Sequence, residues 1–171
     1  MNVIFLCGVV KDFPVIRDSG EANEGMVNII LPNSAGESIS EISCRSRDET
    51  IIKRLSKVKP YDLVFLSGTM TDIEVIISDF SIMSKFSSKE KALRKLLEFN
   101  VINKGLVCGE VVGWNKEAST VSVAIKRDNS IYYGDLKEKD VLQIQTKNEF
   151  TLGLFVTFRV RIEKNKIIQA E

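Results

Sequence analysis

Short apolar runs separated by polar, turn-rich breaks run through most of the chain, and the dominant period of the runs is two. Residues 2–10 are apolar on both alternating faces, which predicts a strand covered on two sides. A small barrel buries only one face of a strand, so the second apolar face predicts contact with another domain or subunit. After a polar loop over 18–25, residues 26–31 and 38–45 read as strands joined through 32–36, a hairpin with a five-residue connection. The spacing of Ile51, Ile52, Leu55 and Val58 behind Asp48 and Glu49 predicts a short helix ended by residues 59–62. Residues 63–70 and 73–80 are two more strands with only Thr71 and Asp72 between them. This order, β-β-β-α-β-β, is the layout of the five-stranded Greek-key OB barrel.

A capping-box pattern at Ser87 and Glu90 opens a helix over 89–99, with Leu93, Leu96 and Leu97 on one face. It reads as a connector, and Lys89, Lys91, Arg94 and Lys95 as its solvated side. Strand patterns return at 106–114, 120–127, 131–136, 141–146 and 154–163. Val121, Val123 and Ile125, and again Val156, Phe158, Val160 and Ile162, alternate as inward positions. Residues 164–166 read as a hairpin turn before Ile167 and Ile168. The expected fold class is mainly β: two small OB-type five-stranded β-barrels joined by a helical connector. The expected divisions are an OB-fold domain over 1–85, a connector helix over 86–102 and a second, OB-like barrel over 103–171. One short echo supports a duplication, since LCGVV at 6–10 returns as VCGEVV at 107–112, with one residue inserted.

Composition narrows the chemistry. The 171 residues are 44% hydrophobic, enough for a real core. No apolar run approaches the roughly 18 residues of a membrane-spanning helix, and the first ten residues do not form a secretory signal, so a cytoplasmic, membrane-free protein is expected. The sequence contains no histidine, which removes the commonest general base and every nucleophile arrangement that needs one. Cys7, Cys44 and Cys108 lack metal-ligand spacing and are expected as reduced core residues. A metal cluster of Asp72, Glu74 and Asp79 is disfavoured because alternation puts Asp79 on the opposite face. No phosphate loop or paired acidic motif is found, so no enzyme, cofactor or metal site is expected. The net charge of +1 divides unevenly: residues 1–86 hold 9 Lys+Arg against 12 Asp+Glu, and residues 87–171 hold 15 against 11. A polyanion meets the second half more favourably.

The opening segment MNVIFLCGVVKDFPVIR, the later PYDLVFLSG at 60–68 and the IEVII at 73–77 together resemble bacterial single-stranded DNA-binding proteins over residues 1–83. That resemblance implies an OB-fold core and single-strand binding. It also implies base-stacking aromatics on the middle strands and on a long loop between the last two strands. Here residues 26–31 and 38–45 contain no aromatic, and that loop is a turn. The residues up to Glu171 also carry no glycine-rich stretch with an acidic end, the feature through which that family recruits replication partners.

Single-strand binding requires cations along a groove and flat side chains for bases. The first half offers Lys11, Arg45 and Arg47, and the two arginines have pairing with Glu41 or Asp48 as their alternative. The second offers Trp114, Tyr132 and Tyr133 with Lys126, Arg127, Arg159 and Arg161, the last two sharing one outward face. Trp114 has core filling as its alternative. The expected function is a non-enzymatic, single-stranded DNA-binding accessory protein acting in replication, recombination or a mobile element, with DNA favoured over RNA. Self-association into a homo-oligomer is expected from the first strand. The alternative is an OB-fold interaction or oligomerisation module that has lost nucleic-acid binding.

Overall fold

The architecture is taken from a computed structural model, which describes residues 1–18, 20, 23–32, 39–98, 102–125 and 141–170. In chain order the elements are β1 (Asn2–Val10), β2 (Val15–Asp18), β3 (Asn23–Pro32), β4 (Ile39–Ser46), α1 (Glu49–Leu55), β5 (Leu63–Met70) and β6 (Glu74–Ser84). There follow α2 (Lys89–Glu98), β7 (Asn103–Asn115), β8 (Thr120–Ala124), β9 (Val141–Gln145), β10 (Phe155–Glu163) and β11 (Lys166–Gln169). The protein is mainly β, as its period-two pattern predicts. The strand expected over 131–136 and the five-residue connection after Pro32 lie outside the described residues.

β1, β3, β4, β6 and β5 pair in a ring that closes through β5 and β1, with β4–β6 the one parallel pair. This is a closed five-strand barrel. Ile4, Leu6, Val10, Ile29, Leu66 and Phe80 fill its interior. α1 caps the barrel with Ile51 and Leu55, and its first turn is held by the Asp48 side chain, which accepts from the Ile51 N–H at 3.0 Å. β2 was not visible in the pattern. It is an exposed four-residue extension paired with Asn23–Met26, and a strand that buries nothing leaves no apolar alternation to read. At α2 the cap is Ser88, whose Oγ accepts from the Lys91 N–H at 3.3 Å, one residue later than the capping-box reading of Ser87.

The second half repeats the pairing strand for strand. β7, β8, β9, β11 and β10 pair in that order, β10 pairs back to β7, and β9–β11 is again parallel. Val121, Val123, Phe158, Val160 and Ile162 are buried as the alternation predicts. The echoed motif occupies the same place in both halves. A Cβ on Gly8 would lie 2.9 Å from the Ile30 carbonyl oxygen, and one on Gly109 would lie 2.2 Å from that of Ala124. Ile30 and Ala124 are themselves register equivalents, opposite Val9 and Glu110. The echo needs no insertion before Val111, because the extra residue, Val112, falls at a β-bulge in the β7–β8 pairing. Tyr61 and Gly153 also correspond, with φ of 75° and 81°, and they donate to the carbonyls of Val10 and Val111 at 2.9 and 2.8 Å.

β1 and β7 join the two rings into one eleven-stranded sheet. They run antiparallel with Ile4 opposite Gly105. The ladder ends in matching bonds: Cys7 N–H donates to the Ile102 carbonyl and Cys108 N–H to that of Met1, each at 2.7 Å. The turn after β5 and the turn after β10 each cross to the other half. Asp72 Oδ1 accepts from the Gln143 N–H at 3.0 Å, and the Lys164 N–H donates to Ser40 Oγ at 2.6 Å. Part of the second apolar face of β1 is covered within the chain, because Cys7 and Val9 lie under α2 with Ala92 and Leu96, while Phe5 stays partly exposed.

Candidate nucleic-acid interface

The cations predicted for the first half stand just after β1 (Lys11) and at or just past the end of β4 (Arg45, Arg47), and the fold matches each with carboxylates. Lys11 Nζ donates to Glu41 Oε2 at 2.7 Å, which raises the lysine pKa. Arg45 is held from two sides: a nitrogen of its guanidinium donates to Glu24 Oε1 at 3.1 Å, and Nε lies 2.6 Å from Glu74 Oε1 without hydrogen-bond alignment. Arg47 Nε donates to the same Glu24 oxygen at 3.4 Å, though most of its side chain is exposed. The hydrogen bond from Arg45 is the largest cause that holds the Glu24 carboxyl below its ordinary pKa, with Arg47 adding to it. Lys11 thus takes Glu41, a partner expected for the arginines, whereas Arg45 and Arg47 share Glu24 instead of using Glu41 or Asp48. Each acid neutralises a charge that a phosphate would otherwise use.

An open groove of about 380 Å³ runs beside these pairs, between β4, the β5–β6 turn and the start of β11. Glu41, Asp72 and Glu74 line it against Lys166, a balance that does not attract a polyanion. The three acids once considered as a metal cluster are engaged separately. Asp72 bonds Gln143, Glu74 pairs with Arg45, and Asp79 meets Arg54 at 3.3 Å.

In the second half, Lys126, Arg127, Tyr132 and Tyr133 lie outside the described residues. Trp114 is half-buried against the core and meets Phe150 edge-on at 6.1 Å, and Phe150 in turn packs on Phe158 at 5.1 Å. Its ring is thus held as core filling. Arg159 and Arg161 do share the outward face of β10. Arg159 is exposed, whereas Arg161 donates to Glu163 Oε2 at 3.1 Å.

Sequence reasoning missed one aromatic pair. Phe5 and Phe65, neighbours on the outer face of β1 and β5, stack with centroids 6.5 Å apart at 24°. Lys104 stands directly opposite Phe5, and Arg159 opposite Leu106 on the adjoining strands. Phe5 remains 38% exposed. The only signal in the sequence is the apolar outer face of β1, which does not say that a ring on β5 would lie beside it. The result is a small platform of rings and cations, the combination that contacts bases and phosphates.

No protein-family model matches this sequence, and no curated protein matches it. Among solved structures, the chain is similar to the wild-type single-stranded DNA binding protein from Thermus aquaticus, with a TM-score of 0.63 and 11% identity over 100% of this chain and 91% of that one. A deletion mutant of the same Thermus aquaticus protein gives a TM-score of 0.65 and 12% identity over 100% of this chain and 92% of that one. The likeness spans both halves, and this chain shares the fold of that Thermus aquaticus protein. No described helix is long and apolar enough to cross a membrane.

Proposed function

We propose that this protein binds single-stranded nucleic acid, DNA in preference to RNA, as a non-enzymatic accessory factor of replication, recombination or a mobile element. The observation that carries this reading is the fold shared along the whole chain with a protein named for single-stranded DNA binding. The second ring of strands is read as a second OB barrel, with the divisions 1–85, 86–102 and 103–171 and α2 as connector. The contact surface is assigned to the second half, to Lys126, Arg127, Tyr132, Tyr133 and Arg159, with Phe5, Phe65 and Lys104 as further candidates. A fluorescence titration with labelled oligothymidine tests it. Saturable binding that weakens steeply with salt is expected, and no binding at low salt would refute it.

A second reading is favoured by the ion pairs at Lys11, Arg45 and Arg47: an OB-fold interaction module that assembles without nucleic acid. Homo-oligomerisation would use the exposed edge of Phe5 with Phe65 and Met83 on the outer sheet. Solution mass with and without oligothymidine separates the readings, since a stable oligomer indifferent to the oligonucleotide supports the second.

A further inference from the structure

The two halves differ most where one of them carries a helix. In the first half α2 lies across the outer face of β1 and β5, burying Ala92 and Leu96 against Cys7, Val9, Ile30 and Leu63. The frame beneath recurs in the second half, where Cys108, Glu110, Ala124 and Phe155 hold the corresponding register positions. The corner beside it is the same one, built on Tyr61 in the first half and Gly153 in the second. Yet no described helix covers the second frame. Leu63 is fully buried, whereas Phe155 is 62% exposed, and Leu152, Leu154 and Val112 stand exposed around it.

We propose that this face of β7 and β10 docks a basic amphipathic helix contributed by another protein chain. The occupied counterpart shows the mode: a helix laid over the strands with a small and a large apolar residue one turn apart, as Ala92 and Leu96 are. The substitutions between the two frames show the chemistry. The shorter, buried Ala124 takes the place of Ile30, and the larger Phe155 takes that of Leu63 as the apolar anchor. Glu110 replaces Val9 directly opposite Phe155, and among the described residues no cation pairs with it. A carboxylate beside an exposed ring selects a helix that brings a Lys or Arg. α2 has this character, with four cations and two carboxylates over Lys89–Glu98, but its apolar stripe is already seated on the first half. α2 is therefore not the occupant, and Phe155 stays exposed.

The probe is a labelled synthetic peptide of sequence FSSKEKALRKLLEF, residues 86–99, titrated into the full chain. Saturable binding is expected, weakened at least about tenfold by Phe155→Asp and by Glu110→Lys. Bound peptide should also slow alkylation of the partly exposed Cys108. Leu152→Asp is the second disrupting variant, and unchanged thermal melting shows that each variant still folds. Oligothymidine binding is measured on the unmodified chain, so that failure of the proposed function and failure of peptide docking are read separately. The proposal is overturned by absence of saturable binding, or by binding that Phe155→Asp leaves intact, since the peptide would then be displacing α2. It is equally overturned if the chain dimerises through this face, with Phe155→Asp dissolving the dimer and the peptide unable to compete.

Discussion

Asn2 and Asn103 hold the same position in the two halves and close the same pair of hydrogen bonds. Asn2 Nδ2 donates to the Met70 carbonyl at 2.7 Å while its Oδ1 accepts from the Met70 N–H at 3.1 Å. Asn103 does the same with Ile162, at 2.6 and 2.9 Å. Each amide thereby imitates one more strand residue and ties the start of the first strand of its half to the end of the fourth. Replacing either by Ala leaves a partly buried peptide group unpaired, which costs about 1–3 kcal/mol. Urea unfolding of Asn2→Ala and Asn103→Ala should show comparable losses, and a neutral result at either site would contradict the equivalence.

Two glycines of β7 predict a graded response. In Gly109→Ala the new methyl meets a backbone oxygen at 2.2 Å that belongs to a paired strand, so the sheet itself must move. In Gly113→Ala the nearest atoms are the Ser122 side chain, at 3.1 Å and beyond, and that side chain can turn away. Overpacking of the first kind costs about 1–3 kcal/mol or more, so Gly109→Ala should melt well below Gly113→Ala. Differential scanning calorimetry would rank them.

Acid should weaken the β3–β4 surface. Arg45 and Arg47 depress the Glu24 pKa, so the folded state holds the charged form more strongly than the unfolded chain does. The stability this contributes is present above the ordinary glutamate pKa and is lost as pH falls below it, through the depressed value. Glu24→Gln should be less stable than the parent protein near neutrality. Its stability should fall less between about pH 5 and the acid limit, where the parent loses this contribution. Denaturant midpoints measured across that range provide the comparison.

Exposed and neutralised cations should differ in their effect on binding. Arg159 stands free of the ion pairs that occupy Lys11 and Arg45. On the proposed function, Arg159→Ala should weaken oligothymidine binding and reduce the slope of log affinity against log salt by about 0.7, one single-strand phosphate contact. Lys11→Ala should change neither quantity. Equal slopes for all three proteins would remove Arg159 from the interface.

The sequence by itself determined most of the described strands and their order, with the exposed β2 as the exception. Val121, Val123, Phe158, Val160 and Ile162 could be assigned inward because a half-buried strand must alternate. β5 was legible to its ends, and the echo around Gly8 and Gly109 falls where a side chain would press on the neighbouring carbonyl in each half. What faces what was left to the tertiary structure. Ion pairs between Arg45 and Glu24 or Glu74 join residues from three strands, and no local pattern encodes which carboxylate a cation will meet. Trp114 read as an exposed ring or, more often, as core filling, and its edge-on contact with Phe150 comes from a loop that no local pattern brings beside it. The apolar outer face of β1 announced a contact but not its partners. Folding divided that face among α2, the stacked Phe65 and solvent, because burial depends on which elements the chain brings over a strand and not on the strand alone.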